Sequence, residues 1–228
     1  MADQNFLKKH GLGRREQFDE RSRRFGVSEI VPADRALRSY TWRCTTQLNQ
    51  GGDSSCVGCA CAHELAARPV EVRRVKYEHA LKIYHRAQTL DPWEGEDYDG
   101  TSVLAGVKAL KALGYIREYR WAFNLNEILL TLGYRGPVIL GVAWHNDMSS
   151  PDGQGFVKPT GSVVGGHAVL ARAVNVRLGY VTIRNSWGPL WGAGGDCFIT
   201  FDNLEKLLQE NAEAVIPMRR ARSKRVAR

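Results

Sequence analysis

Apolar and small residues divide the chain into two stretches with different periods. An Ala-rich run over 56–68 follows a turn built of Gly51, Gly52, Asp53, Ser54 and Ser55. This predicts a helix over 56–68, with Ser54 or Ser55 as its N-cap and Pro69 marking its end. Val72, Val75, Leu81 and Tyr84 recur at roughly helical spacing and predict a second helix over 72–88. An acidic, glycine-containing loop over 94–100 separates it from a third helix over 102–113, which Gly114 stops.

The second half changes character. Short apolar or alternating runs at 137–143, 168–174, 180–184 and 197–201 are bounded by turn residues and predict strands. Two short helices interrupt them, at 125–132 and at 204–211, the latter entered by Asp202 with Glu205 behind it as a capping box. A helical stretch followed by a β stretch predicts an α+β architecture with its cleft between two lobes. The chain thus divides into a polar lead-in over 1–40, a helical lobe over about 41–121, a β lobe over about 122–218 and a basic tail over 219–228.

Composition narrows the function classes. At 43% hydrophobic residues over 228 positions, the chain can bury a substantial core and is not a disordered protein. No apolar run approaches the roughly 20 residues that span a bilayer. Residues 1–30 have no apolar leader segment, which places the expected location in the cytoplasm, or in association with a virion. The net charge of +8 is concentrated at the ends, above all in Arg219, Arg220, Arg222, Lys224, Arg225 and Arg228. Such a tail attracts nucleic acid or anionic surfaces weakly, and its plainer reading is a solvated end. Nothing in the sequence speaks to oligomeric state.

Five cysteines, three of them crowded at Cys56, Cys59 and Cys61, make a poor disulfide framework and suit a reducing compartment or a reactive thiol. A zinc site drawn from these and Cys44 lacks the second well-separated pair that structural zinc uses. No metal or cofactor is expected. Cys56 is the best placed to react, because a helix N-terminus lowers a thiol pKa through its free N–H groups and dipole.

A histidine, His167, stands at the mouth of the apolar strand over 168–174, and the next strand ends at Asn185. If the two strands form a hairpin turning about residue 176, His167 and Asn185 are equidistant from the turn. They would then face each other across the ladder, roughly 5 Å apart at Cβ. An amide beside an imidazole fixes its tautomer and leaves the other ring nitrogen for a thiol.

These residues resemble the papain family of cysteine peptidases. Asn185-Ser186-Trp187-Gly188-Pro189-Leu190-Trp191-Gly192 is similar to that family's Asn-Ser-Trp-Gly-x-x-Trp-Gly segment, Gly166-His167-Ala168-Val169 to its His-Ala-Val segment, and Gln50 stands six residues before Cys56 as the family's glutamine does. The resemblance covers about 40–218 and implies a papain-like fold acting on polypeptides. It assigns Cys56 as nucleophile, His167 as base and acid, Asn185 as its orienter and Gln50 as oxyanion donor. Trp187 would shield the His167–Asn185 bond, and Gly100 would hydrogen-bond the substrate backbone. Departures are visible too. Asp53 stands where the family keeps a disulfide cysteine, Val57 replaces an aromatic residue, and the interval from Cys56 to His167 falls short of the family's roughly 130–150 residues. The lead-in reads as too short for a long helical inhibitory prosegment. These departures suggest a bacterial or viral branch. The rival readings are a cell-wall peptide hydrolase and a catalytically silent scaffold used for binding or assembly.

Overall fold

The structure, a computed structural model, describes residues 9–69, 71–95 and 98–218. The basic tail over 219–228 therefore lies outside the described residues. Among the described residues, six α-helices and seven strands follow in this order: α1 (Glu20–Arg23), β1 (Tyr40–Thr41), α2 (Cys56–Ala66), α3 (Tyr77–Gln88), α4 (Val103–Ala112), β2 (Glu118–Ala122), α5 (Leu125–Tyr134), β3 (Val138–His145), β4 (Val163–Asn175), β5 (Tyr180–Arg184), β6 (Asp196–Thr200), α6 (Phe201–Gln209) and β7 (Glu213–Met218). The strands form one antiparallel sheet in the order β2-β7-β3-β4-β5-β6, with β1 paired to β4. The fold class is α+β, as expected.

Strand alternation sorts the core into two masses. Leu140, Val142, Val169 and Ala171 face one cluster with α5 and α6, whereas Ile139, Ala168, Leu170 and Val215 face a second cluster built on α2 and α4. The sheet is covered on both faces there, which is why β3 and β4 read as near-continuous apolar runs.

All eleven residues of α2 are buried, so the helix has no solvent face, and its residues are small or apolar except His63 and Glu64. Gly58 lets α3 close on it, because a Cβ there would stand 2.3 Å from Ala80 O. This close packing fixes the N-terminal end of α2, and with it Cys56, against β4.

Several elements differ from expectation. The second helix begins at Tyr77 rather than 72; Glu71 and Arg74 take positive φ, so 72–76 turns. Val75 keeps its apolar spacing because it is buried, not because it is helical. The last helix begins at Phe201, capped by Thr200, whose hydroxyl accepts from Asn203 N. Asp202 therefore sits within its first turn rather than capping it. Strands β2 and β7 were not anticipated, and β2 straddles the lobe boundary placed near 121.

The hairpin register also differs. Leu170 pairs with Arg184 and Asn175 with Tyr180, and a shift between Ala171 and Ala173 marks a bulge at Arg172. The turn thus centres beyond residue 176. His167 and Asn185 are not direct cross-strand partners; they meet diagonally along one face.

Candidate functional site

The chain leaves β5 at Arg184, and Asn185 turns out of the ladder, its N–H donating to Gly195 O at 2.9 Å. Asp196 braces this corner. Its carboxylate accepts from Arg172 and from Arg184 Nε at 2.5 Å, and Gln47 Nε2 donates to Asn185 O at 2.9 Å. Burial alone would raise the Asp196 pKa, but the two guanidiniums outweigh it and hold it low.

Held this way, Asn185 Oδ1 accepts from its neighbour's backbone, Ser186 N–H, at 2.7 Å and meets His167 Nε2 at 2.8 Å. An oxygen already accepting from a backbone N–H is an acceptor, so His167 Nε2 carries the proton and Nδ1 keeps a bare lone pair. Nδ1 is buried and makes no hydrogen bond among the described residues. Trp187 stacks on the imidazole with centroids 4.9 Å apart and planes at 29°, and Trp144 meets it edge-on at 4.9 Å. The His167–Asn185 bond is thereby closed off from water.

Cys56 occupies the first position of α2, after Ser55. The N–H of Ala168, the residue after His167 on β4, opposes the rise that burial imposes on the Cys56 thiol pKa. Cys59 and Cys61 lie further along the helix; all three thiols are fully covered, so only position at the helix mouth sets Cys56 apart. All five cysteines are free. Gln50 is oriented by Ser186 Oγ, which donates to its Oε1 at 2.5 Å, leaving Nε2 facing the cleft. The structure therefore brings Gln50, His167, Asn185 and Trp187 together, and places Cys56 at the N-terminal end of α2, the helix that packs on β4.

The cleft is filled by the chain's own lead-in. Gln50 Nε2 donates to Gly11 O at 2.8 Å, and Trp187 Nε1 lies 3.4 Å from the same oxygen. Gly13 N and Arg14 N both donate to Gly166 O at 3.0 Å, and Thr101 N donates to Gly13 O at 2.9 Å. Gly100 contributes close approach rather than a hydrogen bond to the segment: its N–H donates to Tyr84 Oη, and a Cβ there would stand 2.2 Å from Gly13 O. Thr101, not Gly100, is the backbone partner. The glycines of the lead-in are required as well, since a Cβ at Gly11 would lie 2.1 Å from Asp53 O and one at Gly13 2.0 Å from Ser54 O.

This cover sets the protonation states. Burial pushes the Cys56 thiol up to about 12, against smaller lowering by the Ala168 N–H and helix amides. Burial lowers His167 to about 4, against the raising effect of Asn185. Both groups are neutral at pH 7. His63 is a second buried imidazole, lowered to about 3 by burial, its Nε2 accepting from Leu48 N–H. An unfolded chain takes up protons on both histidines below about pH 6.5, while the folded chain refuses them until about 4 and about 3. Stability is therefore expected to be level between about pH 6.5 and 8 and to fall as pH drops, by on the order of 2–3 kcal/mol per pH unit between about 6 and 4. Urea titrations at pH 7.5, 6 and 5 test this; an unchanged midpoint contradicts it.

Compared with models of known protein families, the chain matches none. A curated viral protein, an uncharacterized peptidase C1-like protein of Acanthamoeba polyphaga mimivirus, is 22% identical over 220 residues, covering 75% of this chain and 67% of that one. Among solved structures, xylellain, a cysteine protease from Xylella fastidiosa, superposes with a TM-score of 0.67 at 17% identity over 94% of this chain and 98% of that one. The fold is papain-like. Digestive procathepsin L 3 of Tenebrio molitor also matches at 0.67 and 15% identity, over 94% of this chain and 78% of that one. ProCathepsin B S9 from Trypanosoma congolense matches at 0.60 and 13%, over 95% and 87%. In this papain-like frame the residues missed from sequence are Trp144, Ser186, Thr101 and the lead-in segment 11–15, which holds one isolated bridge, Arg14 to Thr101. The glycine pair at 11 and 13 was the available signal for the last, in a lead-in otherwise read as polar.

Proposed function

We propose that the chain is a cysteine endopeptidase that hydrolyses peptide bonds through a thioester acyl-enzyme, with Cys56, His167 and Asn185 as its catalytic set. The observation that carries this reading is the fixed tautomer of His167, whose buried Nδ1 keeps a bare lone pair on β4, the strand on which the helix begun by Cys56 packs. When polypeptide replaces the lead-in, the thiol proton passes to Nδ1, and the sulfur bonds to the carbonyl carbon. The carbonyl oxygen gains the electron pair and is held by Gln50 Nε2 and the Cys56 N–H. Collapse breaks the C–N bond, and the imidazolium gives its proton to the leaving amine. The same imidazole then takes a proton from water, which displaces the sulfur and releases the acid. Asn185 keeps the ring in plane throughout, and Trp187 excludes water from that hydrogen bond.

In the state described, Gly11 O already occupies the Gln50 donor, so residues 11–14 restrain the site until they are displaced. Gly13→Ala is the substitution that unseats them, for the Cβ meets backbone rather than a movable side chain. The test is profiling of a peptide library in reducing buffer with full chain carrying Gly13→Ala. Hydrolysis dependent on Cys56 supports the reading, and its absence across the library removes it. In that chain, Gln50→Ala is expected to lower kcat by about 10²–10³-fold with a slow remnant surviving; an unchanged kcat contradicts the oxyanion role.

A further inference from the structure

The segment from Gln50 to Cys56 carries both donors proposed for the oxyanion, the Gln50 carboxamide at one end and the Cys56 N–H at the other. A single phenol outside the segment ties its parts together. Tyr77, the first residue of α3, donates from Oη to Asp53 Oδ2 at 2.6 Å. Ser55 Oγ lies 2.8 Å from the same Oη, and Gln50 O stands 3.5 Å from it. A carboxylate only accepts, so the one phenolic proton goes to Asp53 and the Ser55 hydroxyl donates to the phenol. Burial raises the Tyr77 pKa and the Asp53 hydrogen bond raises it further, which keeps that proton in place at neutral pH.

Both legs of this contact lead to an oxyanion donor. Asp53 O accepts from Gln50 Nε2 at 2.5 Å, and Asp53 N donates to Gln50 O at 3.2 Å. One carboxamide hydrogen is thereby fixed on Asp53, and the other is aimed into the cleft, where Gly11 O receives it at 2.8 Å. The aim of the second hydrogen depends on where Asp53 sits, and the Asp53 side chain is anchored on Tyr77. The other leg ends at Ser55, the N-cap of α2, whose hydroxyl makes no cap hydrogen bond. A serine there ordinarily accepts from an N–H of the first turn. This one turns to Tyr77 instead and so ties the residue before Cys56 to α3.

We propose that Tyr77 is a positioning residue for the cleavage reaction: through Asp53 and Ser55 its phenol sets the spacing of the two oxyanion donors. Its role in cleavage rests on the peptidase reading; the clamp on residues 50–56 does not. The test uses full chain carrying Gly13→Ala, with Tyr77→Phe, which keeps the ring and removes the hydroxyl. On a peptide substrate kcat is expected to fall about 10–10²-fold with KM within about 2-fold, because a misplaced donor weakens the transition state and not the ground state. With Gln50→Ala also present, the further loss from Tyr77→Phe is expected to shrink to about 3-fold or less, since the donor it aims is gone. Asp53→Ala, at an exposed position, is expected to lower kcat similarly, and the two together no more than the larger single loss. It reads the same link should Tyr77→Phe fail to fold. By hydrogen exchange and mass spectrometry, amides over 50–56 are expected to exchange about 10-fold faster in Tyr77→Phe. An unchanged kcat overturns the positioning role, as does a rise in KM alone, or a loss that Gln50→Ala leaves at full size. Unchanged exchange removes the clamp. Faster exchange over 50–56 without Cys56-dependent hydrolysis in any of these chains keeps the clamp and removes the peptidase reading.

Discussion

In full chain carrying Gly13→Ala, replacing Cys56 by alanine is expected to lower kcat/KM on a peptide substrate by about 10⁴-fold or more, to the level of buffer. The size follows from the chemistry. Without the sulfur there is no acyl-enzyme, and a histidine with a bare Nδ1 has only water to activate. The remaining Gln50 and backbone donors still polarise a carbonyl, but they have no nucleophile to serve. Because Cys56 is a small, fully buried residue at the start of α2, alanine keeps the helix and its packing. Circular dichroism should be unchanged, so lost turnover can be read as lost chemistry. Hydrolysis that survives in the purified variant would assign the activity elsewhere.

The second large effect is the gain on opening. Gly13→Ala is expected to speed alkylation of Cys56 by iodoacetamide at pH 7.5 by about 10²–10³-fold relative to the unaltered chain. With the lead-in seated, the thiol pKa near 12 leaves almost no thiolate. The cause is burial, and residues 11–14 lie against the turn before Cys56 and against Gly166 on β4. A methyl group 2.0 Å from Ser54 O cannot be accommodated without moving one of the two backbones. The loop 51–54 is tied down by Gln50, whose N–H donates to Ser186 O at 2.8 Å, so the lead-in is the part that yields. Returned to water at a helix N-terminus, the thiol falls toward its ordinary range or below. Equal alkylation rates in the two chains would show that residues 11–14 do not control access.

Much of this site was legible in the sequence because its chemistry depends on local order. The glycine-serine turn into a small, apolar helix put Cys56 at a helix mouth, and the structure keeps it there. His167 and Asn185 were paired correctly for the wrong geometric reason. The bulge at Arg172 shifts the hairpin, and the contact survives because Asn185 leaves the ladder and reaches His167 diagonally. What sequence could not give depends on long-range pairing. The pairing of β7 with β3 at Gly141 is such a case, and β7 carries a proline that argues against a central strand. Pro217 is tolerated because it lies beyond the residues paired with β3. The lead-in hid its role similarly: Gly11 and Gly13 have no apolar period to announce them, and their need for close approach is set by residues some forty positions away.

The most direct measurement is peptide mapping of the Gly13→Ala chain after brief exposure, at neutral pH, to a peptide carrying a vinyl sulfone. A single adduct on Cys56, lost in His167→Ala, with Cys44, Cys59, Cys61 and Cys197 unmodified, is the predicted result. Labelling of another cysteine in its place, or of Cys56 undiminished in His167→Ala, would contradict the pairing of thiol and imidazole on which the account stands.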